Sequence, residues 1–131
     1  MGGSSENASL AGRRILVVED QYLLADDIRR VLERAGAEVV GPVPSLEAGL
    51  EAVATTELHA AVLDINLNGS YVFPVAEELV RRNIPIVFAT GYDEWFVPTA
   101  FKGHTRIEKP IDPREILEAL ERALAGPAAG V

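Results

Sequence analysis

A chain of 131 residues, 48% hydrophobic and 24% charged, has the size and balance of one globular domain with a sizeable core. Its net charge of −8, with no basic stripe, disfavours nucleic-acid binding, because phosphate contacts need clustered Lys and Arg. The lack of cysteine excludes disulfides and thiolate metal sites; no apolar stretch reaches the roughly 18 to 20 residues that span a bilayer, and no apolar signal core is present, so the cytoplasm is the expected location.

Residues 1–12 are rich in Gly, Ser, Asn and Ala and are expected to form a flexible tail, ahead of a domain over 13–125 and a second tail at 126–131. Arg13-Arg14 lead into Ile15-Leu16-Val17-Val18, a first strand ending at Glu19-Asp20. From Tyr22 the period changes: Leu23, Leu24, Ile28, Val31 and Leu32 recur at helical spacing, and Gly36 reads as the residue just past the helix end. Glu38-Val39-Val40, before Gly41-Pro42, is a short second strand. Ser45 is a good N-cap for a helix carrying Leu46, Leu50 and Val53, although Gly49 is unusual inside it.

Ala60-Ala61-Val62-Leu63 is continuously apolar, as a strand buried on both faces is, and closes at Asp64 before the turn chemistry of Asn66-Leu67-Asn68-Gly69. Pro74 suits the first turn of a helix through Val75, Leu79 and Val80 to Arg82. Ile84-Pro85-Ile86-Val87-Phe88-Ala89 is a fourth strand, ending at Thr90-Gly91. Pro98 interrupts any helix over 93–101. Residues 104–108 make a weak fifth strand ending at Lys109-Pro110, and Asp112 with Pro113 opens a last helix with Ile116, Leu117 and Leu120 on one face. Strand and helix thus alternate five times, which predicts an α/β fold with a parallel sheet covered by helices on both faces. The third strand is expected at the centre and the second nearer an edge.

Four runs end in chemistry: Glu19-Asp20, Asp64, Thr90 and Lys109. In a parallel sheet the carboxyl ends of the strands lie on one rim, where ligands bind. Crowded carboxylates must share protons or hold a cation, and an all-oxygen set suits Mg²⁺ or Mn²⁺. Asp64 is then a candidate nucleophile on phosphorus, with the Lys109 ammonium and the Thr90 hydroxyl as partners for phosphoryl oxygens. Lys109 is one of only two lysines, with Lys102. Taken singly, each of these residues is a turn former, a helix cap or a solvated loop residue.

As a set they resemble the receiver domain of two-component response regulators, over residues 13–125. The resemblance implies a doubly wound, flavodoxin-like five-stranded sheet of order 2-1-3-4-5 with Asp64 as phosphoacceptor. It further implies a cation held by Glu19, Asp20, Asp64 and the Asn66 backbone carbonyl, and a switch role for Thr90. Lys109-Pro110 matches a dipeptide that is commonly cis in the family. The narrower run Phe88-Ala89-Thr90-Gly91-Tyr92 resembles the FATGUY subgroup of stand-alone receivers, associated with HWE-type histidine kinases.

The resemblance implies a phosphoacceptor that assists its own phosphorylation and dephosphorylation, not a dedicated enzyme. A histidine kinase or phosphotransfer protein would be the donor. Output would pass to a downstream protein by contact or phosphorelay, from a monomer or weak homodimer with no output domain after residue 125. No nucleic-acid contact or membrane insertion is expected. One position departs from the family: Arg106 stands where most receivers carry a switching aromatic. Arg106 with Tyr92, Trp95, Phe96 and Phe101 is therefore read as a mobile partner surface, although these apolar side chains would equally serve to cover the core. Two other readings stand beside this one. A phosphorylation-independent interaction module on the same fold is kept open by Arg106. An aspartyl-phosphate phosphatase is disfavoured because Asn66 occupies the position where that chemistry needs a second Asp.

Overall fold

The apolar runs become five strands of one sheet in a computed structural model that describes residues 8–91, 98–101 and 103–125. In chain order the elements are β1 (Arg14–Val18), α1 (Tyr22–Arg34), β2 (Glu38–Val43), α2 (Leu46–Thr55) and β3 (Ala60–Asp64). A hairpin of β4 (Asn66–Leu67) and β5 (Ser70–Tyr71) follows, then α3 (Phe73–Arg81), β6 (Ile86–Thr90), a 3-10 turn (Thr99–Phe101), β7 (Thr105–Glu108) and α4 (Pro113–Ala125). The sheet order is β2-β1-β3-β6-β7 with every pairing parallel, which is the expected 2-1-3-4-5 once the hairpin strands are set aside.

Side chains alternate across a strand, so each β1 residue chooses a face. Ile15 and Val17 pack with Ile28 and Leu32 of α1 and Ile116 and Leu120 of α4. Leu16 and Val18 pack with Val53 of α2 and Val75 and Leu79 of α3. β3 and β6 are buried at every position, as their unbroken apolar runs require, whereas β7 at the edge is mostly exposed.

Local signals place the ends. The Ser45 hydroxyl accepts from Ala48 N (3.2 Å), and Asp112 Oδ1 accepts from Arg114 N (2.9 Å). Gly36 follows α1 with φ 97°, the left-handed geometry expected just past a helix end. Gly49 is explained by close packing: a Cβ there would lie 3.2 Å from Val75 Cγ2 and 3.4 Å from Val18 Cγ2.

Two expectations need correction. Residues 8–12 are not a flexible tail. Leu10 is 1% exposed in the α1/α4 core, its N–H donates to Ala35 O (2.9 Å), and Ser9 Oγ bonds Glu121 Oε2 (2.6 Å). One leucine inside a Gly/Ala/Ser stretch is enough to pin it, since burying a Leu contributes about 1.5–3 kcal/mol. The second strand does not stop before Gly41-Pro42 but runs to Val43, whose carbonyl accepts from Glu19 N (3.0 Å). The proline is tolerated because β2 is an edge strand. Residues 1–7 and the tail at 126–131 lie outside the described residues.

Candidate functional site

The strand ends deliver their polar residues to one rim. β1 leads into Glu19 and Asp20, β3 ends at Asp64, β6 ends at Thr90, and β7 leads into Lys109. Asp64 and Ala89 are in register, and Lys109 N donates to Thr90 O (2.7 Å), which ties the last two positions together. The Lys109-Pro110 peptide is cis, as the resemblance implies.

Asp64 is 3% exposed, as is Glu19. Lys109 Nζ lies 3.3 Å from Asp64 Oδ2 and 3.5 Å from Glu19 Oε2. Gln21 N donates to Glu19 Oε2 (3.1 Å), and Asn66 N approaches Asp64 Oδ1 at 3.4 Å. Carboxylate oxygens of Glu19, Asp20 and Asp64 lie within 4.8 Å of one another. An open cleft of about 400 Å³ reaches Asp20 and Asp64 of this group and is lined by them with Gln21, Asn66, Asn68, Gly69, Gly91 and Lys109.

The electrostatics follow from burial. Desolvation pushes the Asp64 carboxyl up to about 8, Glu19 adds to it, and the Lys109 ammonium only partly opposes them. Glu19 is also raised, again chiefly by burial. Burial works against the Lys109 ammonium, but Asp64 and Glu19 together outweigh it and its pKa is raised. One ammonium is shared between two buried carboxylates, so it is well satisfied and they are not.

The residues fit a hard divalent cation. Glu19 Oε1 is buried with no hydrogen-bond partner among the described residues, the three carboxylates converge, and every available donor is oxygen. The group Glu19, Asp20 and Asp64 is therefore one that can hold a metal.

The sequence reading did not anticipate the form of the cleft wall. Asn68 (φ 55°) and Gly69 (φ 94°) form the two-residue turn of the β4–β5 hairpin, and Asn66 Oδ1 accepts from Gly69 N (2.7 Å). The Asn-Gly pair is a strong hairpin signal, masked here because each strand has only two residues. Of the proposed partner surface, Tyr92, Trp95 and Phe96 lie outside the described residues. Arg106 is exposed on β7, in register with Phe88. Phe101 is not a surface residue: it is 3% exposed, stacked on Phe73 and edge-on to Phe88. The 3-10 turn after Pro98 directs its ring into the α2/α3 core, where a large apolar side chain gains most.

A family model described as the response regulator receiver domain matches residues 15–121. The chain belongs to this family. Among curated receiver relatives, the sensory transduction protein LytT of Bacillus cereus is 32% identical over 114 residues, covering 83% of this chain and 46% of that protein. The chain thus spans about half the length of the curated relatives it matches first. The solution structure of SdrG from Sphingomonas melonis Fr1 superposes with a TM-score of 0.73 at 36% identity, covering 86% of this chain and 94% of that one. SdrG from Pseudomonas melonis Fr1 in a BeF3-activated conformation matches with a TM-score of 0.70, also at 36% identity, over 87% and 98% of the two chains. The response regulator PhyR from Brucella abortus shares the fold, with a TM-score of 0.77 at 24% identity over 99% of this chain and 55% of that one. No helix among the described residues is long and apolar enough to cross a membrane.

Proposed function

We propose that this receiver accepts a phosphoryl group on Asp64 from the phosphohistidine of a histidine kinase or phosphotransfer protein. The observation that carries the reading is the placement of Asp64. It is a buried carboxyl at the end of a central strand, 3.3 Å from Lys109 Nζ and beside two further carboxylates, with one side open to a cleft. Burial without neutralisation makes this a poor resting place for charge and a good place to spread it onto an incoming group.

In the transfer, an Asp64 oxygen forms a bond to phosphorus as the P–N bond breaks, and the electron pair stays on the imidazole nitrogen. The carboxyl proton is given up to solvent or to the released imidazole. The product is a mixed anhydride. Lys109 pairs with one phosphoryl oxygen and Thr90 donates its hydroxyl to another. Mg²⁺ or Mn²⁺, held by Asp20, Asp64 and the Asn66 carbonyl with Glu19 acting through water, would neutralise the carboxylates against the phosphoryl charge. BeF3 mimics a phosphoryl group on a carboxylate, so the BeF3-activated state of SdrG, at 36% identity, supports the reading.

The chain acts as a phosphoacceptor, not as a turnover enzyme, and works in the cytoplasm. Its signal passes by protein contact or by handing the phosphoryl group on. The run Phe88-Ala89-Thr90-Gly91-Tyr92 supports the FATGUY assignment and a donor kinase of the HWE type. Incubation with acetyl phosphate and Mg²⁺, followed by intact mass, tests the proposal. A phosphate adduct that needs the metal and is absent in Asp64→Ala is expected; an unmodified wild-type chain refutes it, and sustained hydrolysis of phosphate esters would favour a phosphatase.

A further inference from the structure

We propose that Tyr71 is a positioning residue for the acceptor site, holding the 66–71 hairpin against Asp64 through a stack on Phe73, which is itself stacked on Phe101. The inference rests on the phosphoacceptor reading above and adds a residue to it.

The hairpin is the part of the site least able to hold itself. It comprises two strands of two residues, and an isolated two-stranded hairpin is at best marginal in water. Yet much of the cleft depends on it. Asn66 brings its N–H to 3.4 Å from Asp64 Oδ1 and carries the carbonyl assigned to the cation, while Asn68 and Gly69 line the cleft. At its base, Val72 N donates to Ile65 O (2.9 Å) and Ile65 N to Ala89 O (3.1 Å). Those bonds fix where the hairpin starts and ends, not its tilt over Asp64.

The aromatic rings supply that constraint. Tyr71 stands directly across the hairpin from Asn66. Its ring stacks on Phe73 at 6.0 Å and 16°, and Phe73 stacks on Phe101 at 5.5 Å and 7°. Phe101 meets Phe88 edge-on at 5.9 Å, and Phe88 is paired with Leu63, the neighbour of Asp64. The strand that carries the acceptor and the hairpin that covers it are therefore tied to one run of rings, in which half-buried Phe73 links Tyr71 to buried Phe101 and Phe88. Tyr71 itself is 40% exposed, so its loss removes little from the core. A solvated hairpin tyrosine with no effect on the site is the ordinary alternative.

The test uses the full chain with Tyr71→Ala and Tyr71→Phe. Two readouts need no phosphorylation: amide hydrogen exchange at Gly69 and Val72 in metal-free protein, and the MgCl₂ concentration giving half the maximal rise in Tm. In Y71A both exchange and half-saturating Mg²⁺ rise about 3- to 10-fold, the size expected of one aromatic pair, while the metal-free Tm falls by only a few degrees. Y71F, which keeps the ring, matches wild type. Wild-type values in Y71A overturn the proposal, and so does Y71F failing as badly as Y71A. A wild-type chain that binds Mg²⁺ but takes no phosphate on Asp64 removes the phosphoacceptor reading instead, and leaves the stack to be judged on exchange and metal binding.

Discussion

Lys109 and Asp64 meet at 3.3 Å at the centre of the cleft, yet the aspartate is pushed up to about 8 while the lysine is stabilised as a cation. The asymmetry arises first because burial disfavours the charged form of Asp64, then because Glu19 repels it. The ammonium, which also faces Glu19 at 3.5 Å, cannot neutralise both carboxylates. With Asp20 beside them, three carboxylates face a single ammonium. A divalent cation would offset that excess of negative charge and allow an anionic phosphoryl group to enter.

Removing Lys109 enlarges that excess. Lys109→Ala is expected to cost about 1–3 kcal/mol in urea unfolding at pH 7. The cost is bounded because the carboxylates left behind can take up a proton. Acyl-phosphate formation from acetyl phosphate should fall at least about tenfold, the effect of losing one charge-assisted contact of about 1.4 kcal/mol.

The pH dependence has a definite sign. An ordinary aspartate titrates near about 4, whereas folded Asp64 holds its proton up to about 8. Between those values the folded state binds a proton that the unfolded chain has lost, so metal-free stability falls as pH rises. A fall on the order of 2 kcal/mol between pH 5 and pH 8 is expected in urea titrations. Asp64→Asn should flatten this slope and exceed wild type at pH 8. Half-saturating Mg²⁺ should decrease over the same range, since metal and proton compete for one carboxyl.

The amino-terminal turn belongs to the folded unit. Leu10→Ala should destabilise by about 2–4 kcal/mol, the range for a buried leucine that leaves a cavity. Loss of the 8–12 anchor, tested by thermal unfolding of the 1–12 truncation, should cost at least as much.

Gly49 is held to its size by Val75 and Val18. Gly49→Val should force α2 off the sheet and cost about 1–3 kcal/mol in chemical denaturation, despite the poor helix propensity of glycine.

The sheet was legible because β3 and β6 are buried on both faces and therefore read as unbroken apolar runs, each stopping at a polar rim residue. Parallel strands bring those stops together, so Glu19, Asp20, Asp64, Thr90 and Lys109 could be assembled without coordinates. Short elements were harder. Leu10 is a single apolar anchor without period, and β4–β5 has too few residues to alternate. The continuation of β2 through Gly41-Pro42 depends on its lying at an edge, which only the sheet order shows. Phe101 was left between partner surface and core because an aromatic after a proline gives no hint of which way its ring turns, and Gly49 hid a helix–sheet contact that no local signal records.

The central claim is that Asp64 carries the phosphoryl group, and reductive trapping tests it most directly. After treatment with acetyl phosphate and Mg²⁺, borohydride converts an aspartyl phosphate to homoserine, and peptide mass spectrometry locates the change. The account predicts homoserine at position 64 alone, and none in metal-free protein. Reduction at Glu19 or Asp20, or no reduction in protein shown to bind Mg²⁺, would contradict it.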